Sequence, residues 1–115
     1  MYIASMASKD LVAASARPLV LGILARGENY GYAIIQQVRD LSEGQLQWSD
    51  GMLYPVLHRL EREGLIKAKW GKSDTGRKRK YYTLSRDGGK ALKAEKAQWL
   101  NVHNTLLQLW EPKHA

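Results

Sequence analysis

The sequence predicts a mainly α-helical domain with one small β-hairpin and a long helix at its C-terminal end. Apolar residues recur at helical spacing in three successive blocks before Gly64. Two runs of β-formers, Leu65 to Trp70 and Lys80 to Leu84, flank a glycine-containing turn. After Ser85 the apolar residues repeat every seven positions almost to the end. At 115 residues the chain is one domain, large enough to bury about two-thirds of its unfolded surface and too small for two cores. Residues 1–84 are expected to form the globular part, with 1–8 disordered. Residues 85–115 are the last helix and tail of the same structural unit.

The first helix starts from Ser8 as N-cap and carries Leu11, Val12, Leu19, Val20, Ile23 and Leu24 until Gly27 stops it. Pro18 lies within it, so it is either a kinked helix or a short lead-in followed by a helix beginning near Pro18. A second helix, from about Tyr30 to Ser42, should bury Ala33, Ile34, Val38 and Leu41, with Gly44 as its stop. Gln45 to Trp48 is too short to assign, a small extended pairing segment being one reading. The third helix spans Ser49 to Gly64, with Leu53, Val56, Leu57 and Leu60 on one face and Met52, Tyr54, Pro55, His58, Arg59 and Arg62 on the other. Pro55 is awkward this far into a helix, because it removes an intrahelical hydrogen bond unless the start is later. The two strands and the turn from Gly71 to Arg79 follow. Ser85 then caps the long helix, with Asp87 well placed in its first turn and Pro112 beyond its end at Trp110.

Charge is concentrated on the hairpin. Of eighteen basic residues, Lys67, Lys69, Lys72, Arg77, Lys78, Arg79 and Lys80 fall in one stretch with a single acid, Asp74, so most of the net +7 is local. Such a patch is the electrostatic footprint of a nucleic-acid binder. Helix, helix, helix, hairpin, long helix is the plan of a winged helix-turn-helix domain with one helix added. A third helix with an apolar face and a hydrogen-bonding face can pack on the domain while offering side chains to a groove. The expected DNA contacts are Ser49, Met52, Tyr54, His58 and Arg59 on the third helix and Lys72, Arg77, Lys78, Arg79 and Lys80 on the wing. Arg59 has an alternative, pairing with Glu63 at i+4.

Three blocks of residues also resemble a known family. Tyr30-Gly31-Tyr32-Ala33-Ile34-Ile35, then Gly51 through Ile66 (Gly-Met-Leu-Tyr-Pro-Val-Leu-His-Arg-Leu-Glu-Arg-Glu-Gly-Leu-Ile), then Gly76-Arg77-Lys78-Arg79-Lys80-Tyr81-Tyr82-Thr83-Leu84 with Gly88 beyond, are similar to the signature blocks of the PadR family of bacterial transcriptional regulators. They cover most of Tyr30 to Gly88. Met52 departs from the pattern, since members commonly carry threonine there, and the wing is unusually basic. The resemblance is to the short subfamily, whose single C-terminal helix dimerises. It implies a dimeric repressor of double-stranded DNA, an operator with inverted repeats, and, in several members, flat aromatic or cationic compounds bound between subunits.

Read by spacing alone, Leu92, Trp99 and Leu106 fall seven apart, Lys96, His103 and Trp110 form a companion row, and Leu100 and Leu107 lie alongside. That stripe exceeds what one small domain covers, so Leu92, Trp99, Leu100, Leu106, Leu107 and Trp110 are assigned to a homodimer interface. Trp99, where the resemblance places a ligand-stacking tryptophan, and His103 are the ligand candidates, against plain interface packing for both.

Other chemistry is poorly represented. Cysteine is absent, which excludes disulfides, thiolate metal sites and cysteine nucleophiles. Gly71-Lys72-Ser73 matches the end of a phosphate-binding loop, but the glycine required five positions earlier is Ile66. His58, His103 and His114 share no metal-ligand spacing. No stretch reaches the roughly 18 apolar residues of a membrane span, and Met1 to Asp10 lacks the features of a secretion signal. The expectation is a cytoplasmic, non-enzymatic regulator without cofactor. The alternative is a basic module that coats DNA without responding to an effector.

Overall fold

The computed structural model describes residues 7–111. Most of the segment expected to be disordered lies outside them, as do Pro112 and His114. The elements are α1 (Lys9–Ala25), β1 (Asn29–Tyr30), α2 (Gly31–Leu41), α3 (Asp50–Arg62), β2 (Ile66–Lys72), β3 (Lys78–Leu84) and α4 (Arg86–Trp110).

α1 opens on Ser8, whose Oγ accepts the Leu11 N–H at 3.2 Å. It runs unbroken through Pro18, which settles the two alternatives in favour of one continuous helix. Proline frees the carbonyl of Ala14, and Ala14 is exposed, so water can take the lost bond. Ala16, Val20, Leu21, Ile23 and Leu24 of α1 meet Ile34 and Val38 of α2 and Leu53, Leu57 and Leu60 of α3 in the core. Leu11 and Leu41, expected in apolar stripes, are more than half exposed, because each sits at a helix end that overhangs the core.

Gln45–Trp48 is not a strand. It is an irregular link that drives the Trp48 ring into the core. The third strand is instead β1, two residues long, which pairs Asn29 with Tyr82 and Tyr30 with Tyr81 to give the antiparallel order β1-β3-β2. The hairpin is longer than the sequence suggested. β2 and β3 stay in register from Ile66↔Leu84 to Lys72↔Lys78, so the turn is Ser73 to Arg77, not Gly71 to Arg79. It is closed by the Ser73 N–H to Arg77 O bond at 2.8 Å, with Gly76 at φ +82°. Tyr82 lies at the base of the sheet, 1% exposed, with no hydrogen-bond partner for its hydroxyl among the described residues. Burial, with smaller contributions from Tyr54 and Glu61, pushes that phenol up to about 12.

Where α4 begins is fixed by contacts at its first turn. Ser85 Oγ accepts from the Gly88 N–H at 3.0 Å and donates to the Gly64 carbonyl at 2.6 Å. Gly88 rests against the Leu65 carbonyl, where a side chain would collide. Two turns on, Arg17 of α1 donates through Nε to Glu95 and through Nη1 to Glu63 at 2.8 Å, and these carboxylates, Glu95 first, raise the guanidinium pKa further. From Lys96 to Thr105 every residue of α4 is exposed. The helix thus projects from the body, and the structure with it measures 62 Å along its longest axis.

Candidate nucleic-acid interface

The open face of α3 is centred on Gly51, Pro55, His58 and Arg62, all exposed and opposite the buried Leu53, Leu57 and Leu60. Pro55 lies inside the helix. The carbonyl it frees belongs to exposed Gly51, so the strain foreseen from sequence is relieved on this open face. Ser49 is the N-cap, its Oγ accepting the Met52 N–H at 3.2 Å.

The other predicted contacts of α3 divide about this face. Tyr54 turns towards the start of α2, its hydroxyl against Gly31, whose missing side chain makes the space, and its ring is 6.4 Å from that of His58. Met52 is half-buried and faces Val12, Ala13 and the Gln45–Gln47 link. Arg59 lies on the opposite flank, beside Ala13, Ala16 and Arg17 of α1. The i+4 pairing of Arg59 with Glu63 does not form, since Glu63 is held by Arg17.

The wing cations are distributed differently from the sequence expectation. Only Arg77 lies in the turn; Lys72 ends β2, and Lys78, Arg79 and Lys80 open β3. Strand alternation therefore sorts them to two faces. Lys78 and Lys80 share a face with Trp70, their Nζ atoms 5.0 and 6.0 Å from its ring centroid. Lys80 also reaches Glu61 of α3 at 3.8 Å, so this face of the hairpin looks towards α3. Arg79 is on the other face, its guanidinium 3.8 Å above the ring of Tyr30, which meets Tyr81 edge-on at 5.7 Å. Lys69 pairs with Glu28 at 3.3 Å. Among the described residues, Lys72, Arg77 and Lys78 have no carboxylate partner.

Between the start of α2, α3 and the wing lies an open cleft of about 560 Å³ lined by Tyr30, Gly31, Tyr32, Tyr54, Trp70 and the run Arg77 to Lys80. Four cations and four aromatics converge there with no acid on the lining. Tyr54 and the four cations of this set are among the residues expected from sequence; Tyr30, Tyr32 and Trp70 are not. Arg62, on the open face four residues after His58, was visible in the helical spacing but not carried into the site. The predicted ligand residues are elsewhere: Trp99 (37% exposed) and His103 lie on the projecting part of α4, far along the chain from this cleft.

A helical body, a projecting hairpin with unpaired cations and an open helix face beside it define a winged-helix DNA-binding protein. The chain matches the transcriptional regulator PadR-like family over residues 20–94, and it belongs to that family. It is 28% identical over 100 residues to transcriptional regulator YqjI of Escherichia coli strain K12, spanning 84% of this chain and 41% of that protein. Among solved structures it is similar to a transcriptional regulator from Clostridium thermocellum, with 25% identity, a TM-score of 0.80 and coverage of 93% of this chain and all of the other. It is also similar to a PadR family transcriptional regulator from Eggerthella lenta, at 30% identity, a TM-score of 0.76 and coverage of 90% and 88%. The protein is a PadR-like transcriptional regulator, and among its described residues no helix is long and apolar enough to cross a membrane.

Proposed function

We propose that the chain acts as a homodimeric repressor, working in the cytoplasm, that grips an inverted-repeat operator through α3 and the wing and is released by a flat aromatic or cationic effector beside Trp99. The observation that carries this reading is α4. Leu92, Trp99, Leu100, Val102, Leu106, Leu107, Leu109 and Trp110 fall within one half of its surface, with Lys96 and His103 among them and Leu92 packed on the core of its own chain, while Lys90, Lys93, Asn101, Asn104 and Gln108 occupy the other half. Leu100, Val102, Leu109 and Trp110 are between 48% and 77% exposed in the single chain, an apolar area that water disfavours. A second copy is the economical cover, and an interface on the order of 1,500 Å² or more is what an obligate dimer needs. Two α3 helices related by two-fold symmetry would read an inverted repeat in successive major grooves. The same symmetry brings the α4 helices together, and paired indoles accept a planar ring by stacking and a cation through the ring quadrupole.

The test joins ultracentrifugation to DNA titration. Wild type should sediment as a dimer. If three basic side chains per wing reach phosphate, a dimer neutralises about six, and log K should fall with log salt at a slope of about −5. Changing Arg77, Lys78 and Arg79 together to Ala should flatten the slope by about two units or more and weaken all sequences alike. Aromatic dyes should quench wild-type fluorescence, and Trp99→Ala should abolish the quenching with the dimer intact. A monomer at working concentrations, or a slope untouched by the triple substitution, would remove the corresponding part of the proposal.

A further inference from the structure

The cations of the cleft have an evident use in neutralising phosphate, but the indole of Trp70 has none in the folded chain. It is 61% exposed and outside the core, so packing does not require it. Its strand face runs from buried Ile66 through half-buried Ala68 to open Trp70, which carries the apolar side of the sheet out of the core into the corner between α3 and the wing. In register it stands opposite Lys80, and the ammonium groups of both Lys78 and Lys80 gather at its ring. Indole faces hold cations in this way, so two flexible side chains are presented together before any anion arrives. Tyr54 and Tyr32 complete the walls of the corner.

We propose that this corner seats one sugar–phosphate strand of duplex DNA, with the Trp70 ring packed on a deoxyribose and Lys78 and Lys80 reaching the phosphates that flank it. The inference rests on the DNA-binding reading above and adds to it a nonionic contact. Deoxyribose offers an apolar face, the indole a flat apolar one, and the indole N–H remains free to donate to a phosphate oxygen. Such a contact contributes affinity that salt does not screen, whereas each lysine contributes to the salt slope.

The experiment is fluorescence anisotropy of a labelled duplex of mixed sequence with the full chain across a salt series. Trp70→Ala should weaken binding about tenfold per monomer at every salt concentration, the scale of one aromatic contact with nucleic acid, and leave the slope unchanged. Trp70→Phe, which keeps a flat ring, should recover most of that loss. Lys78→Gln and Lys80→Gln should each flatten the slope by about one per monomer. All four variants should melt with the wild type, because none of these side chains is in the core. Trp70→Ala binding as tightly as wild type overturns the inference and leaves the DNA-binding reading intact. A Trp70→Ala variant that changes only the slope also overturns it, since the ring would then act through the lysines alone. Wild type that fails to bind duplex at any salt concentration sinks the reading on which it rests.

Discussion

Gly88 and Gly89 are adjacent in the first turns of α4, and the structure assigns opposite signs to the same substitution at the two positions. A methyl group at Gly88 would overlap the carbonyl oxygen of Leu65 and come within 2.7 Å of Leu84 Cδ1 and 3.0 Å of the Leu65 carbonyl carbon. That carbonyl also accepts the Ser85 N–H at 3.0 Å, so it cannot retreat without straining the joint between β3 and α4. Overpacking of this kind costs about 1–3 kcal/mol, and the disturbed hydrogen bond about 1 kcal/mol more. Alanine in place of glycine in a helix returns about 1 kcal/mol. Gly88→Ala should therefore lose about 1–3 kcal/mol. At Gly89 a methyl group meets nothing within 4 Å, and only the helix preference remains, a gain of up to about 1 kcal/mol. With about 4 °C per kcal/mol for a domain of this size, thermal melts at one fixed protein concentration should place Gly88→Ala about 4–12 °C below wild type and Gly89→Ala a few degrees above it. Gly88→Ala melting at or above wild type would refute the close packing of α4 on the Leu65 turn.

The phenol of Tyr82 titrates near 10 unfolded and is pushed up to about 12 when folded, so both states hold the proton below pH 10 and stability is intact there. Between pH 10 and 12 the unfolded chain releases its proton first and stability should fall by up to about 3 kcal/mol; urea melts of Tyr82→Phe should lack that part of the alkaline loss and stay within about 1 kcal/mol of wild type at neutral pH. Glu95 and Glu63 both hold Arg17, with side chains 18% and 40% exposed. Glu95→Gln should accordingly cost about 1 kcal/mol and Glu63→Gln less than about 0.5 kcal/mol in denaturant melts, and the reverse order would show that the more exposed carboxylate is the main partner.

The helices were legible because each writes its buried face at a fixed period. Ile34 and Val38, or Leu53, Leu57 and Leu60, can face one core only if the chain between them is helical. β1 was not legible: two residues carry no alternation, and Asn29 and Tyr30 pair only because the folded chain brings them to Tyr82 and Tyr81. Gln45 to Trp48 could not be assigned for a related reason, since an isolated aromatic among polar residues looks the same whether it pairs in a sheet or plugs a core. The wing is marked by its charge, but lysines and a glycine near the turn resemble loop, so the strand ends at Lys72 and Lys78 are hidden in the sequence. Val102 and Leu109 escaped the heptad count, which follows only the centre of a stripe that spans half of α4. The cleft required tertiary structure outright. Tyr30 and Trp70 are far apart in sequence, and nothing local places them on the same opening as Arg77 and Lys80.

The sheet has one further property that follows from its order. β3 is paired along its full length to β2 but to β1 only at Tyr81 and Tyr82, so among the described residues two backbone edges lie bare: all of β2 on its outer side, and β3 from Lys78 to Lys80. Bare edges invite a second hairpin to add on and begin an aggregate. Lys67, Lys69 and Lys72 stand along one edge and Lys78, Arg79 and Lys80 along the other, and like charges set opposite each other across a new ladder repel. Any wing approaching another wing meets its own charge, while an anionic polymer is drawn in. The residues that attract DNA thus also keep the hairpins of separate molecules from joining edge to edge.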